Sequence, residues 1–303
     1  MDVSEQPDQH LITVRDWLRY AVSRFTMAQL VYGHGTADAR DEAAFLILHT
    51  LRLPVDALDP WLDARLLMSE RAALRAIIEK RISTRKPAPY LTNEAWAGGH
   101  AFYVDERVIV PRSYIAELIA QGLDGSLPEA ADARRILDLC TGSGCLAILA
   151  ALAYPDAEVD AAELSPGALD VAEHNVAAYE LEERVRLVRS DLFDGLEGGR
   201  YDLIVSNPPY VSTQSLAAFP PEYAAEPAMA HAGGEDGLDI VRRILAEAPR
   251  HLTPDGTLLM EIGTGRAMLE AEFADLPFLW LDTEESEGEV FALRAADFAG
   301  RQM

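Results

Sequence analysis

The sequence predicts an α/β fold: a doubly wound, seven-stranded, mostly parallel sheet with an antiparallel edge strand, preceded by a small helical domain and a connecting β-hairpin. Three observations carry that expectation. Short β-rich runs alternate with helical periodicity from residue 135 onward. Residues 13–86 show helical periodicity alone, and a glycine-broken, β-rich stretch separates the two regions. The domain reading is therefore 1–92 for a helical bundle, 93–110 for the hairpin and 111–303 for an α/β domain of the kind that binds ligands at its strand ends.

In the first region Val14, Trp17, Leu18, Ala21, Val22 and Phe25 follow the i, i+3, i+4, i+7 pattern of one helix face, with Thr13 placed to cap. Residues 38–51 and 69–86 give two more helices, divided by turns at Pro54 and Pro60. Trp17, Tyr20 and Trp61 read as core residues rather than ligand contacts. Residues 96–104 and 107–110 are short and β-rich, broken by Gly98-Gly99 and Asp105-Glu106, which predicts a hairpin between the two domains. A helix follows from Pro111 to Leu123.

The alternating region then begins. Strands are expected at R-I-L-D-L-C, E-V-D-A-A-E-L, V-R-L-V-R, Y-D-L-I-V-S and G-T-L-L-M-E-I-G, with a final pair near 278–282 and 289–294. Helices are expected at 143–153, 165–179, 237–251 and 266–273. The charged turn E-E-S-E-G lets the final pair form a hairpin at the sheet edge.

Composition narrows the function. Of 303 residues 49% are apolar and 25% charged, ordinary for a globular protein. The formal charge of −24 is uneven: residues 1–105 carry 14 acidic and 12 basic side chains, residues 106–303 carry 36 and 14. Such a field repels phosphate backbones and attracts basic partners, so stable DNA binding is not expected. Cys140 and Cys145 are too few for a disulfide framework or a zinc site, and no metal is expected. The acidic start M-D-V-S-E-Q-P-D does not read as a signal peptide, and no run approaches the ~18 apolar residues of a membrane span, so a cytoplasmic protein is expected.

The first strand runs into D-L-C-T-G-S-G-C. Gly142 and Gly144 let the backbone turn sharply and approach a ligand, and the helix after them presents unpaired N–H groups. Glu163, at the end of the second strand, is placed to accept from ribose hydroxyls. These features predict a nucleoside cofactor. Gly142-x-Gly144-x-x-Ala147 equally satisfies the dinucleotide fingerprint, so on the loop alone a nicotinamide or flavin cofactor and S-adenosylmethionine stand level. Asp138 tilts the choice, because a carboxylate at the strand end suits an α-amino group. Asp191 and Leu192 of S-D-L-F offer an acceptor and an apolar wall for an adenine ring, although Asp191 by itself reads as a turn former.

The fourth strand stops at V-S-N-P-P-Y, residues 205–210. Two prolines freeze the turn and free its carbonyls from any ladder, at the sheet end where ligands bind. A planar NH2 group is a poor nucleophile, since its lone pair is delocalised. The Asn207 side-chain oxygen and the Pro208 carbonyl together would hold both N–H donors and aim the nitrogen, with Pro209 fixing the corner and Tyr210 stacking on the planar group.

Taken together these stretches resemble class I S-adenosylmethionine methyltransferases that modify the side-chain amide of glutamine. The closest resemblance is to the branch acting on ribosomal protein L-three, through E-A-W-A-G-G, F-Y-V-D-E-R-V-I-V-P-R-S, L-D-L-C-T-G-S-G-C, R-S-D-L-F-D-G-L and S-N-P-P-Y-V. Tyr114, in place of a proline, and the glycine-rich Ala97-Gly98-Gly99-His100 depart from that pattern. The resemblance implies that Asn207 and Pro208 orient the amide and Tyr210 lines a glutamine pocket. It implies that Asp138, Thr141, Gly142, Ser143, Gly144, Glu163, Asp191, Leu192 and Asn207 surround S-adenosylmethionine, which leaves as S-adenosylhomocysteine, that Phe102 and Arg112 close the cavity, and that residues 1–92 recognise the substrate while 111–303 catalyse; from its residue type alone Arg112 equally suits a surface salt bridge. The expected partner is a basic ribosomal protein, met before or during ribosome assembly. Release factors and adenine in DNA are the alternative acceptors, and a non-catalytic assembly factor is the alternative class.

Overall fold

A computed structural model describes residues 7–123, 127, 130–196, 198–284 and 286–299. The chain divides into two compact units, Met1–Glu94 with Pro220–Ala225, and Ala95–Phe219 with Glu226–Met303.

The first unit is helical: α1 (Pro7–His10), α2 (Val14–Met27), α3 (Ala39–Leu51), α4 (Met68–Thr84) and α5 (Ala88–Thr92). Thr13 begins α2 with a capping box, its hydroxyl accepting from Asp16 N at 3.2 Å while the Asp16 carboxylate accepts from Thr13 N at 3.0 Å. Trp17, Phe25, Leu46, Ile47, Leu74 and Ile78 form the core. Trp61 departs from expectation and is 36% exposed, because it stands on a single 3-10 turn, Asp59–Trp61, too short to present a face inward. Between α3 and α4 the buried Glu42 and Arg81 pair at 2.7 Å. Glu222 adds a second buried acid, accepting from Val31 N at 3.1 Å and pairing with Arg85 at 2.5 Å. Six residues from far along the chain thus complete the unit.

The second unit begins at the hairpin of β1 (Glu94–Ala97) and β2 (His100–Tyr103). Its turn is Gly98-Gly99, with φ of +54° and +78°, the two left-handed positions that a tight hairpin turn requires. Both strands lie within the stretch 93–110 in which a hairpin is expected; the β-rich residues 107–110 are not part of it and follow a local turn in which Asp105 accepts from Arg107 N at 3.0 Å, since the glycine pair reverses the chain earlier.

There follow α6 (Tyr114–Gln121), β3 (Arg135–Leu139), α7 (Cys145–Ala153), β4 (Glu158–Glu163), α8 (Pro166–Ala178), β5 (Val185–Arg189), β6 (Tyr201–Ser206), α9 (Thr213–Leu216), α10 (Asp239–His251), β7 (Leu252–Glu261), α11 (Arg266–Glu272), β8 (Leu279–Leu281) and β9 (Val290–Arg294). The seven strands from β3 onward form one sheet in the order β5-β4-β3-β6-β7-β9-β8. Strands β5 to β7 are parallel, and β9 runs antiparallel to both β7 and β8. Successive side chains of β6 point to opposite faces, Leu203 and Val205 into the layer with α6, α7 and α8, Ile204 into the layer with α10 and α11. Burial on both faces explains why the central strands read as near-continuous apolar runs.

The chain order reverses between β3 and β6, so a crevice opens at the carboxyl ends of β3, β4 and β6. Asn175 of α8, 1% exposed, fixes one side of it. Its carbonyl accepts from Tyr103 N at 2.8 Å, and its amide donates to Tyr103 O at 3.0 Å and Ser143 O at 2.8 Å. One side chain therefore ties the hairpin to the loop after β3.

Candidate active site

The loop after β3 turns through three left-handed residues, Cys140 at φ +60°, Gly142 at +57° and Gly144 at +81°. Asp138, fully buried, holds it from beneath: one carboxylate oxygen, Oδ2, accepts from the Thr141 hydroxyl at 2.5 Å and from Ala147 N at 3.0 Å. The other, Oδ1, has no hydrogen-bond partner among the described residues. Burial pushes this carboxyl up to about 7. Asp138, Thr141, Ser143 and Gly144 thus shape the loop and stand off the cavity wall. Gly144 favours glycine on two counts: its φ of +81° strains any side chain, and a Cβ there would lie a tight 3.2 Å from Ala172 Cβ.

Gly142, by contrast, lines a cavity of about 270 Å³. A Cβ on it would meet nothing nearer than the Cys140 carbonyl at 4.0 Å, so the space above the loop is clear of protein. Glu163 ends β4 on the same wall, with one oxygen accepting from Gly142 N at 3.0 Å and the other from Ser165 N at 2.9 Å. Asp191 and Leu192 follow β5 on the wall. Asp191 is ion-paired with Arg243 at 2.9 Å, and Leu192 is held at φ +49° while the Ser190 hydroxyl donates to its carbonyl at 2.6 Å. Two non-glycine residues in the left-handed region, Cys140 and Leu192, on one cavity wall mark a backbone shaped for a ligand.

Asn207 and Pro209 bring the end of β6 to that cavity. The Ser206 hydroxyl donates to Leu139 O at 2.9 Å and joins the ends of β6 and β3. Among the described residues the Asn207 side-chain amide has no hydrogen-bond partner, and the Pro208 carbonyl accepts no hydrogen bond. Tyr210 lies off the cavity wall, its hydroxyl donating to Glu261 Oε1 at 3.0 Å. The other oxygen of Glu261 accepts from the Ser113 hydroxyl at 2.7 Å and Tyr114 N at 2.9 Å. Burial, with Glu289 adding repulsion, pushes Glu261 up to about 7.

Besides the loop residues and Tyr210, Pro208, Phe102 and Arg112 are also expected at the cavity and do not line it. Phe102 is 1% exposed and packs in the sheet core, its ring 5.5 Å from that of Tyr179, because the early hairpin turn points it inward. Arg112 is committed to the buried Glu226, with bonds of 2.7 and 2.9 Å. Glu226 also accepts from Val110 N at 3.0 Å and faces His231 Nε2 at 2.9 Å. This acid joins the two strips of chain, Val108-Ile109 and Pro227 to Ala232, that form the outer cavity wall. Sequence reasoning missed both Glu226 and Glu261. Glu261 had a signal: it closes the apolar run of β7 as Glu163 closes that of β4. Cys140 also lines the cavity, while burial pushes the Cys145 thiol up to about 12, so it stays protonated. Among the described residues no group of three or more His, Cys, Asp or Glu side chains could hold a metal ion.

Residues 117–219 match the family model described as the methyltransferase small domain. The catalytic domain of hMettl16, solved with the MAT2A 3′UTR hairpin 6, shares the fold at a TM-score of 0.51 and 17% identity, over 74% of this chain and 80% of that one. Fold and strand-end site together define a class I methyltransferase. The chain is 55% identical to the ribosomal protein uL3 glutamine methyltransferase of Bradyrhizobium diazoefficiens over 95% of its length and 92% of that protein. Identity is 54% to proteins of the same name from Bordetella pertussis, over 94% and 96%, and Neisseria meningitidis, over 98% of each. It belongs to the ribosomal protein uL3 glutamine methyltransferase family.

Proposed function

We propose that this protein transfers a methyl group from S-adenosylmethionine to the side-chain nitrogen (N5) of a glutamine in uL3, releasing S-adenosylhomocysteine. The observation that carries the reading is the unpaired Asn207 amide on the same cavity wall as Gly142 and Glu163. Family membership supports the acceptor protein.

The chain's residues fit the cofactor by type. Each Glu163 oxygen keeps a second lone pair for a ribose hydroxyl, and Gly142 leaves room for close approach. Leu192 supplies an apolar wall and Asp191 an acceptor for adenine. The unpartnered Asp138 Oδ1 is suited to an α-ammonium group, which stabilises a buried carboxylate. The bound cofactor supplies an electrophilic methyl carbon on a sulfonium.

Asn207 and Pro208 prepare the nucleophile. The asparagine oxygen and the proline carbonyl each accept one N–H of the glutamine amide, fixing its plane and aiming the nitrogen. Orientation of this kind contributes up to ~7–11 kcal/mol. Both oxygens also stabilise the nitrogen as it gains positive charge, before it loses a proton after transfer. The enzyme acts in the cytoplasm on the free basic protein, before or during ribosome assembly, when the target is accessible.

Purified protein with labelled S-adenosylmethionine and either uL3 or a release factor tests this. Label is expected on uL3; label on the release factor alone rejects the substrate. Asn207→Ala should lower kcat about 100-fold, as loss of one preorganised transition-state contact does, while cofactor Kd stays within about threefold. An Asn207→Ala enzyme with full activity would sink the mechanism.

A further inference from the structure

We infer that Glu261 is a positioning residue for the methyl-acceptor corner, holding Tyr210 by its hydroxyl and so fixing the acceptors of Asn207 and Pro208 beside the cavity. The inference rests on the function proposed above and adds a residue outside its binding set.

Sheet register brings the groups together. Met260 is the parallel partner of Ser206, so one residue further on Glu261 and Asn207 leave neighbouring strands side by side. The Glu261 carboxyl, in a residue 1% exposed, gathers three donors from two parts of the chain: the Tyr210 hydroxyl, the Ser113 hydroxyl and Tyr114 N. The carboxyl therefore ties the corner to the start of α6.

Tyr210 is held from other sides as well. A Cβ on Gly263 would stand 2.7 Å from its Cε2, one on Gly233 2.7 Å from its Cα, and one on Gly237 2.4 Å from its carbonyl oxygen. Three glycines thus leave the room in which the tyrosine sits. A residue meant to swing onto a substrate would not be seated against backbone with its hydroxyl committed to a buried acid.

The corner explains why that seat matters. Pro208 has its φ fixed by its own ring and its ψ confined to the extended region by Pro209, so only the exact value within that region, and with it the fine aim of the Pro208 carbonyl, depends on where the chain beyond is anchored. Tyr210 is that anchor, two residues on. Loss of the Glu261 bond lets the corner shift within that range, and a misplacement of ~1 Å in an oriented site can cost ~100-fold in rate.

The test is a double-mutant cycle of Glu261→Gln and Tyr210→Phe, read as kcat and KM with S-adenosylmethionine and uL3. In Glu261→Gln an NH2 group replaces one oxygen; if the remaining oxygen serves Ser113 and Tyr114, the NH2 faces the tyrosine hydroxyl and the bond is lost or reversed. Each single variant should lower kcat about 10–30-fold, with KM for S-adenosylmethionine within threefold, and the double should be no slower than the slower single. Losses that multiply, or singles that raise KM at unchanged kcat, overturn the inference. Wild-type activity on uL3 is measured first. An inactive wild type ends the proposed function and this inference with it, whereas an active wild type with multiplying losses ends this inference alone. If Glu261→Gln does not fold, Tyr210→Phe decides: a ~10-fold loss of kcat at constant KM sustains the role, and an unchanged kcat removes it.

Discussion

Asp138 and Glu261 are two buried acids beside the proposed site, and neither is among the residues that line the cavity. Both sit at strand ends, buried, accepting hydrogen bonds that hold a loop in place, and burial raises both toward neutrality. For a carboxyl whose pKa is higher in the folded state than in the unfolded chain, the folded state binds its proton more tightly. Stability is then greatest below the unfolded value near 4 and declines as pH rises to about 7, above which the cost is complete. The ligand-free protein should therefore lose stability in urea between pH 6 and pH 7.5, on the order of a kcal/mol over that interval. Asp138→Asn should flatten the slope, because the amide cannot ionise. An equally steep slope in that variant would assign the effect to other groups. Retaining a costly carboxyl at this point is reasonable if its free oxygen meets a cation when ligand binds.

Helices and strands with strong periodicity were legible in the sequence, whereas the segments that join them at the site were not. The central strands β3 and β6, with burial on both faces, showed as apolar runs, and Thr13, Ser165 and Gly144 at helix starts were visible as caps or turns. Asn207 and Glu163, which both line the cavity, stand out in the sequence because strand ends are marked by what interrupts them. Where the chain reverses within 93–110 is not legible in the sequence, because two turn signals compete there and only the backbone shows that Gly98-Gly99 reverses the chain first. For Arg112 a cavity role and a salt bridge stand level in the sequence, because a sequence cannot show that Glu226, more than a hundred positions later, takes its guanidinium. That pair yields an expectation at the level of loops. Glu226→Ala removes two hydrogen bonds from Arg112 and the acceptor of Val110 N, and loosens the two strips of the outer wall. Because Arg112 is partly exposed, a loss of roughly 1–3 kcal/mol is expected, lowering Tm by about 3–10 °C. Cofactor affinity, followed by equilibrium dialysis, should fall by more than tenfold, whereas a variant that melts early yet binds normally would show the clamp to be structural only.

At the scale of the whole molecule the dominant feature is charge. Residues 106–303 hold 36 acidic and 14 basic side chains, and the residues before them are close to neutral. Such a surface attracts a basic protein from a distance and repels phosphate backbones, which fits a substrate captured as free protein rather than as part of an RNA-rich particle. Long-range attraction of this kind acts on encounter, not on chemistry, so it belongs to kcat/KM for uL3 and leaves kcat at saturation alone. Salt separates the two, since the screening length falls to ~8 Å at 0.15 M and to ~3 Å at 1 M. Raising salt from about 50 to 300 mM should lower kcat/KM for uL3 about tenfold, with kcat and the KM for S-adenosylmethionine changing less than twofold. A kcat/KM that stays level across that range would mean that recognition is made by short-range contacts, and that the acidic surface serves solubility alone.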